Sequence, residues 1–239
     1  MPRFYVNLAL VTNSEIDLPE EVVRHIGVLR LRITDQIILF NGDGYDYVAE
    51  FIILERRKIS LKIIDAKLVQ NESKLDLTLL MSIIASDKFD LVVQKAVELG
   101  VKRLIPIYAQ NTQRFKVDKL ASRMEHWRKI ILASSEQSGR ATLMKLLEPV
   151  EFAHAIKNDS SRLKLILSPH HAGNLAISGV LPSVAILVGP EGGFTSTEVE
   201  LANQSGFASW QLGARILRAE TAALSGVSLL QAKFGDFAG

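Results

Sequence analysis

Four short apolar runs, at residues 77–84, 104–108, 163–167 and 184–188, are separated by longer stretches with helical spacing. A strand that is apolar at nearly every position must be covered on both faces. Strands joined through helices run parallel, so residues 74–239 read as an α/β domain with a mostly parallel sheet between helical layers. The helices carry punctuation. Asp87 is placed to cap one helix, and Gly100 to end it in the left-handed conformation. Leu120, Met124, Trp127 and Ile131 form an apolar stripe at spacings of four, three and four, with Lys119, Arg123 and Arg128 on the other face. Thr195 and Glu198 make a capping box for a further helix that Gly206 ends, and a last helix covers residues 219–233.

The first third has a different period. Residues 3–6, 36–40, 46–54 and 58–64 are short, rich in Val, Ile, Phe and Tyr, and bounded by turn residues. Asn41-Gly42-Asp43-Gly44 tolerates positive φ and marks a hairpin. Pro19, Glu20 and Glu21 open a short helix near residues 19–26. Residues 1–71 therefore read as a small β-barrel or sandwich. The polar stretch Gln70-Asn71-Glu72-Ser73-Lys74 separates it from the α/β domain.

Composition narrows the chemistry. The chain has no cysteine, which excludes disulfides, a thiolate nucleophile and a cysteine metal site. The opening Met1-Pro2-Arg3-Phe4-Tyr5 lacks the build of a signal peptide, and no apolar run is long enough for a membrane helix, so a cytoplasmic protein is expected. Net charge is +2, but unevenly spread. Residues 1–72 hold 9 Lys/Arg against 11 Asp/Glu, a net of −2, whereas residues 102–145 hold 10 against 3, a net of +7. Such a concentration of cations suits a phosphate backbone, and it also suits a solvated helix face.

Three segments carry candidate chemistry. Gly189-Pro190-Glu191-Gly192-Gly193-Phe194-Thr195 follows an apolar strand and precedes a capped helix. Glycine there lets backbone groups approach a ligand closely, and ligands of open α/β sheets sit at the carboxyl ends of strands. A tight strand-to-helix turn would need the same residues. The loop matches neither a phosphate-binding P-loop nor Gly-x-Gly-x-x-Gly. The second segment runs Leu212-Gly213-Ala214-Arg215-Ile216-Leu217-Arg218-Ala219-Glu220-Thr221-Ala222. It leads from a strand at residues 209–212 into a helix whose first N–H groups are free, with Arg218 and Glu220 as a site pair or an exposed ion pair. The third, Ser135-Glu136-Gln137-Ser138-Gly139-Arg140, ends the basic helix. It reads as a C-cap with Gly139, or as an arginine presented to phosphate or a base edge. His170 and His171 follow a strand beside Pro169, but no set of residues has metal-ligand spacing, and no metal is expected.

Together these segments resemble the bacterial 16S ribosomal RNA uracil-N3 methyltransferases of the SPOUT superfamily. Further matches are Pro2-Arg3-Phe4-Tyr5, His25-Ile26-Gly27-Val28-Leu29-Arg30-Leu31 and Gln94-Lys95-Ala96-Val97-Glu98-Leu99-Gly100. They run in family order over almost the whole chain; Lys88-Phe89-Asp90 departs from the Gly or Pro-Lys-Gly common there. The resemblance implies an N-terminal PUA-like RNA-binding β-barrel (residues 1–71) and a SPOUT methyltransferase domain (residues 74–239) with a deep trefoil knot, which topology rules alone would not have proposed.

The resemblance also implies S-adenosyl-L-methionine as cofactor, held by Leu167, Ser168, Gly189, Pro190, Glu191, Gly192, Gly193, Leu212, Gly213, Ile216, Leu217, Thr221 and Ala222, with Pro169 completing one wall. Arg218 and Glu220 are the implied catalytic pair, with Glu136 and His170 as alternatives for a base. Arg3, Arg30, Lys95 and Arg140 are assigned to RNA, and the enzyme is expected to act as a homodimer on 16S rRNA, free or within the small ribosomal subunit. Ribose 2′-O-methylation, a non-catalytic RNA-binding role and methylation of a small molecule are the rival readings.

Overall fold

The first sheet is built from β1 (Arg3–Tyr5), β2 (Glu15–Asp17), β3 (Gln36–Phe40), β4 (Tyr45–Leu54) and β5 (Ile59–Leu68), with α1 (Glu20–Gly27) between β2 and β3. Its order is β1-β3-β4-β5-β2; β1 runs parallel to β3 and the other pairs are antiparallel. Gly42 and Gly44, at φ 94° and 96°, turn the chain from β3 into β4. Register shifts at Val48/Ala49 and Phe51/Ile53 bulge β4, which bends and twists it. Phe4, Ile37, Leu39, Phe51, Leu61 and Ile63 fill the core, and α1 adds Val23 and Ile26 from one face. β2 escapes sequence reading because Glu-Ile-Asp is too short to show a period; it is held by its pairing with Ser60–Lys62.

The computed structural model describes residues 1–168 and 181–237. It divides into two units: Met1–Glu72 with Ser135–Leu143, and Ser73–Ser134 with Met144–Gly239. The change near Glu72 lies in the polar stretch noted above. Ser135–Leu143, which the sequence alone places with the second domain, is bonded instead into the first unit. Gly44 N–H donates to Ala141 O (3.2 Å), Asn71 Nδ2 to Gly139 O (2.9 Å), and Tyr5 N–H to Glu136 Oε1 (2.9 Å).

The second unit holds β6 (Asp76–Ser82), α2 (Ser86–Glu98), β7 (Arg103–Tyr108), α3 (Val117–Ser138, its last turn belonging to the first unit), β8 (Lys145–Leu146), β9 (Val150–Glu151), α4 (Phe152–Asn158), β10 (Leu163–Leu167), β11 (Ser183–Val188), α5 (Ser196–Gln204), β12 (Ala208–Trp210) and α6 (Ala219–Phe234). Every pairing is parallel, in the order β12-β10-β11-β6-β7-β8, with β9 also on β7.

The apolar runs bury both faces as their composition requires. Leu77, Leu79 and Met81 of β6 join Ile186 of β11 under α2, α3 and α6. Leu80, Leu187 and Ile166 point the other way, to Phe152 of α4 and Val199 of α5. Burying each such side chain stabilises the fold by about 1.5–3 kcal/mol. At Gly226 a Cβ would come within 2.5 Å of Ile186 Cδ1, so glycine sets how closely α6 lies on the sheet. Asp87 does not cap α2: the N-cap is Ala85, with no side-chain cap, and Asp87 stands inside the first turn, where its charge complements the dipole. The implied knot is a property of the continuous chain path, which passes through residues 169–180, outside the described residues.

Candidate active site

Because β12, β10 and β11 are neighbours, the described residues that leave their carboxyl ends lie side by side. Leu167 and Ser168 leave β10, residues 189–194 leave β11, and residues 211–218 lead from β12 into α6. They enclose a cavity of about 810 Å³, shared with Ala85, Lys88 and Trp210 of the same unit. This is the end of a parallel sheet where ligands bind.

The glycine loop is shaped from within and fastened from outside. Gly193 takes φ 69°, and its N–H donates to Pro190 O at 2.9 Å, closing a turn. A Cβ on Gly189 would sit 3.2 Å from the Phe194 ring, and one on Gly192 3.2 Å from Asn111 Cβ. Asn111 Nδ2 donates to Gly193 O at 3.1 Å and lies 3.4 Å from Gly192 O. Ala85 N–H donates to Glu191 Oε1 at 2.9 Å. Behind the loop, Thr195 and Glu198 form the anticipated capping box, and the buried Glu198 carboxylate also accepts from Gln110 N–H at 2.8 Å. The loop is therefore pinned by groups about 80 and 106 residues away in sequence.

The third wall ends at Arg218, the N-cap of α6 (φ −63°, ψ 154°) with no side-chain cap, so first-turn N–H groups face the cavity end. Gly213, at φ 79°, turns the loop. Ile216 is 80% exposed, an apolar side chain that the protein itself leaves uncovered at the cavity. Lys88, Arg215 and Arg218 line the cavity together with Glu191 and Glu220, giving it both signs of charge.

Of the residues assigned to the cofactor, Leu167, Ser168, Gly189 to Gly193, Leu212, Gly213, Ile216, Leu217 and Ala222 line this cavity, as do Arg218 and Glu220. Thr221 is exposed on α6 and is not part of the lining. Pro169, His170 and His171 lie outside the described residues. Among the described residues no three His, Asp or Glu side chains cluster as metal ligands. Sequence reasoning missed Asn111, Ala85, Lys88 and Trp210, since none belongs to a local motif.

Residues 71–231 match the family model of the RNA methyltransferase domain. The chain belongs to the RNA methyltransferase family. Residues 18–64 match the RNA methyltransferase PUA domain. Ribosomal RNA small subunit methyltransferase E of Buchnera aphidicola subsp. Schizaphis graminum is 31% identical over 99% of this chain and 98% of its own length. The Rickettsia conorii protein of that name is 32% identical, over 95% of this chain and 93% of its own. The crystal structure of ribosomal RNA small subunit methyltransferase E from Neisseria gonorrhoeae, bound to S-adenosyl methionine, superposes with a TM-score of 0.92 at 37% identity, covering 99% of both chains.

In this RNA methyltransferase two of the residues expected to contact RNA have partners within the first unit. The Arg140 side chain is 5% exposed; its Nε and Nη2 meet the two carboxylate oxygens of Glu72, each at 2.8 Å. Arg3 is 10% exposed, bonds Asp46 at 2.6 Å and Ser135 O at 2.9 Å, and stacks on Phe40. Both guanidinium groups make their ion pairs within the first unit. Glu136, weighed as a base, is bonded to the backbone of Tyr5 in that same unit. Lys95 contacts Glu98 at 2.8 Å in a partly exposed pair, and Arg30 is exposed, at φ 51°.

Proposed function

We propose that this chain transfers a methyl group from S-adenosyl-L-methionine to N3 of a uridine in 16S rRNA of the small ribosomal subunit. The observation that carries the reading is the cavity at the carboxyl ends of β10, β11 and β12, walled by glycine backbone and apolar side chains with a few charged groups among them. Its volume of about 810 Å³ lies within the range of roughly 300–1,000 Å³ typical of small-ligand sites. The residues suit the cofactor. Leu212, Ile216 and Leu217 offer apolar cover for an adenine, and the side-chain-free surface of Gly189 to Gly193 admits close approach to backbone groups. The relative solved with S-adenosyl methionine spans all of these loops.

When bound, S-adenosyl-L-methionine supplies an electrophilic methyl group. The protein's share is alignment and charge. Arg218, held at the start of α6, is placed to bind the uracil and stabilise negative charge on its carbonyl oxygens as N3 gives up its proton. Glu220, in the first turn of α6 and on the same cavity wall, is assigned to orienting Arg218 or the loop backbone. Residues 1–71 act as an RNA-binding unit and residues 74–239 as the methyltransferase domain. Arg30 and Lys95 are the assigned RNA contacts that the structure leaves at the surface. The working form is a cytoplasmic homodimer. Incubation with methyl-labelled S-adenosyl-L-methionine should label unmodified 16S rRNA and leave large-subunit rRNA unlabelled. Label in neither RNA contradicts the reading.

A further inference from the structure

Residues 102–145 hold ten cations, and the structure separates those already neutralised from those that are not. Arg103 meets Asp76, Arg114 meets Glu151, Arg128 meets Glu148, Lys129 meets Glu125 and Arg140 meets Glu72. Arg114 and Glu151 share two bonds of 2.6 and 2.7 Å, and the pairing holds the Glu151 carboxyl below the usual carboxylate range. Lys102 and Lys145 stand at the starts of β7 and β8, the end of the sheet away from the cavity.

That leaves Lys116, Lys119 and Arg123. Lys116 precedes α3 and its carbonyl accepts the N–H groups of Lys119 and Leu120. Spacings of three and four then put all three cations along one side of the helix. Among the described residues none of them has a carboxylate within ion-pair distance. Lys116 and Lys119 are exposed, and the Arg123 guanidinium is steadied over the Phe115 ring, 5.9 Å from its centroid. Helix stability does not account for them: cations in a first turn oppose the helix dipole.

Position adds to charge. Asn111, whose amide holds the glycine loop of the cavity, is five residues before Lys116. Five residues of chain span at most about 17 Å, so the strip begins a few nucleotides' length from the cavity. Resting on the RNA-methyltransferase reading above, we propose that Lys116, Lys119 and Arg123 form a phosphate-binding strip for the RNA backbone flanking the target nucleotide. Phosphate contacts set register and orientation on a nucleic acid, and the base pocket then reads one nucleotide.

Salt dependence of binding is the test, because each phosphate neutralised by a cation releases counterions. With the full chain and unmodified 16S rRNA, the slope of log affinity against log salt concentration is measured for wild type, Lys116→Gln/Lys119→Gln, and the triple variant that adds Arg123→Gln. The double variant retains Arg123 and its contact with Phe115, so it tests charge without disturbing packing. Each lost contact should flatten the slope by about 0.7–0.9, so the double variant flattens it by roughly 1.5 and the triple by more than 2. A control, Arg128→Gln/Lys129→Gln, which removes cations already paired, should leave the slope at the wild-type value, and S-adenosyl-L-methionine affinity should not change in any variant. A double variant with wild-type slope overturns the strip while leaving the RNA reading intact. A wild-type chain with no salt-dependent RNA affinity removes the RNA reading itself.

Discussion

At the scale of single residues, the site asks most of Arg218. It ends an irregular loop, begins a helix and lines the cavity, so the start of α6 fixes the backbone from which its side chain reaches. Arg218→Ala should lower kcat by on the order of 10²–10³-fold, the scale of losing one preorganised charge donor. Cofactor affinity, measured by calorimetric titration of S-adenosyl-L-methionine, should stay near wild type. An equal loss in cofactor affinity would move Arg218 from the substrate to the cofactor. The position of this arginine was legible because Leu217-Arg218-Ala219-Glu220 stands at a strand-to-helix junction. The ion pairs of Arg3 and Arg140 were not legible, because their partners, Asp46 and Glu72, lie 43 and 68 residues away. Spacing along a chain carries no sign of such a partner, and a motif arginine that holds two segments together looks the same as one that meets a phosphate.

Elements explain why the glycine loop keeps its shape. β11 delivers it, α5 closes it through the Thr195–Glu198 capping box, and the chain after β7 grips it through Asn111. Replacing Asn111 by Ala removes the amide from the carbonyls of Gly192 and Gly193. The loss is about 1–1.5 kcal/mol, which should weaken S-adenosyl-L-methionine binding roughly tenfold. Fluorescence titration of the variant checks this, and an unchanged affinity would show that the loop holds its conformation without the clamp. At this scale the sequence was most informative where a pattern repeats. β10 has the limits of its apolar run, and the last helix ends one residue beyond its expected terminus. β2, β8 and β9 were illegible because two or three residues cannot express a period; pairing with longer strands makes them. The cap of α2 shows the same limit: Asp87 has the right side chain, two positions past the N-cap.

Across the whole molecule, the two periods of the sequence became two sheets, one mostly antiparallel and one wholly parallel. What no local pattern could announce was the return of Ser135–Leu143 to the first unit, because it is fixed by bonds to Tyr5, Gly44 and Asn71. The order β12-β10-β11 was likewise not readable from the order of the chain, yet it brings Leu167 and Ser168, residues 189–194 and residues 211–218 around one cavity. Whole-molecule geometry thus gathers the site, and the chemistry assigned to it is methyl transfer to a uracil nitrogen. Nucleoside mass spectrometry tests that claim most directly. Small-subunit rRNA from cells lacking this gene is digested before and after incubation with the purified protein and S-adenosyl-L-methionine. 3-Methyluridine should be absent at first and restored by the wild-type protein. Restoration of a 2′-O-methylated nucleoside in its place, or an unchanged nucleoside profile, would contradict it.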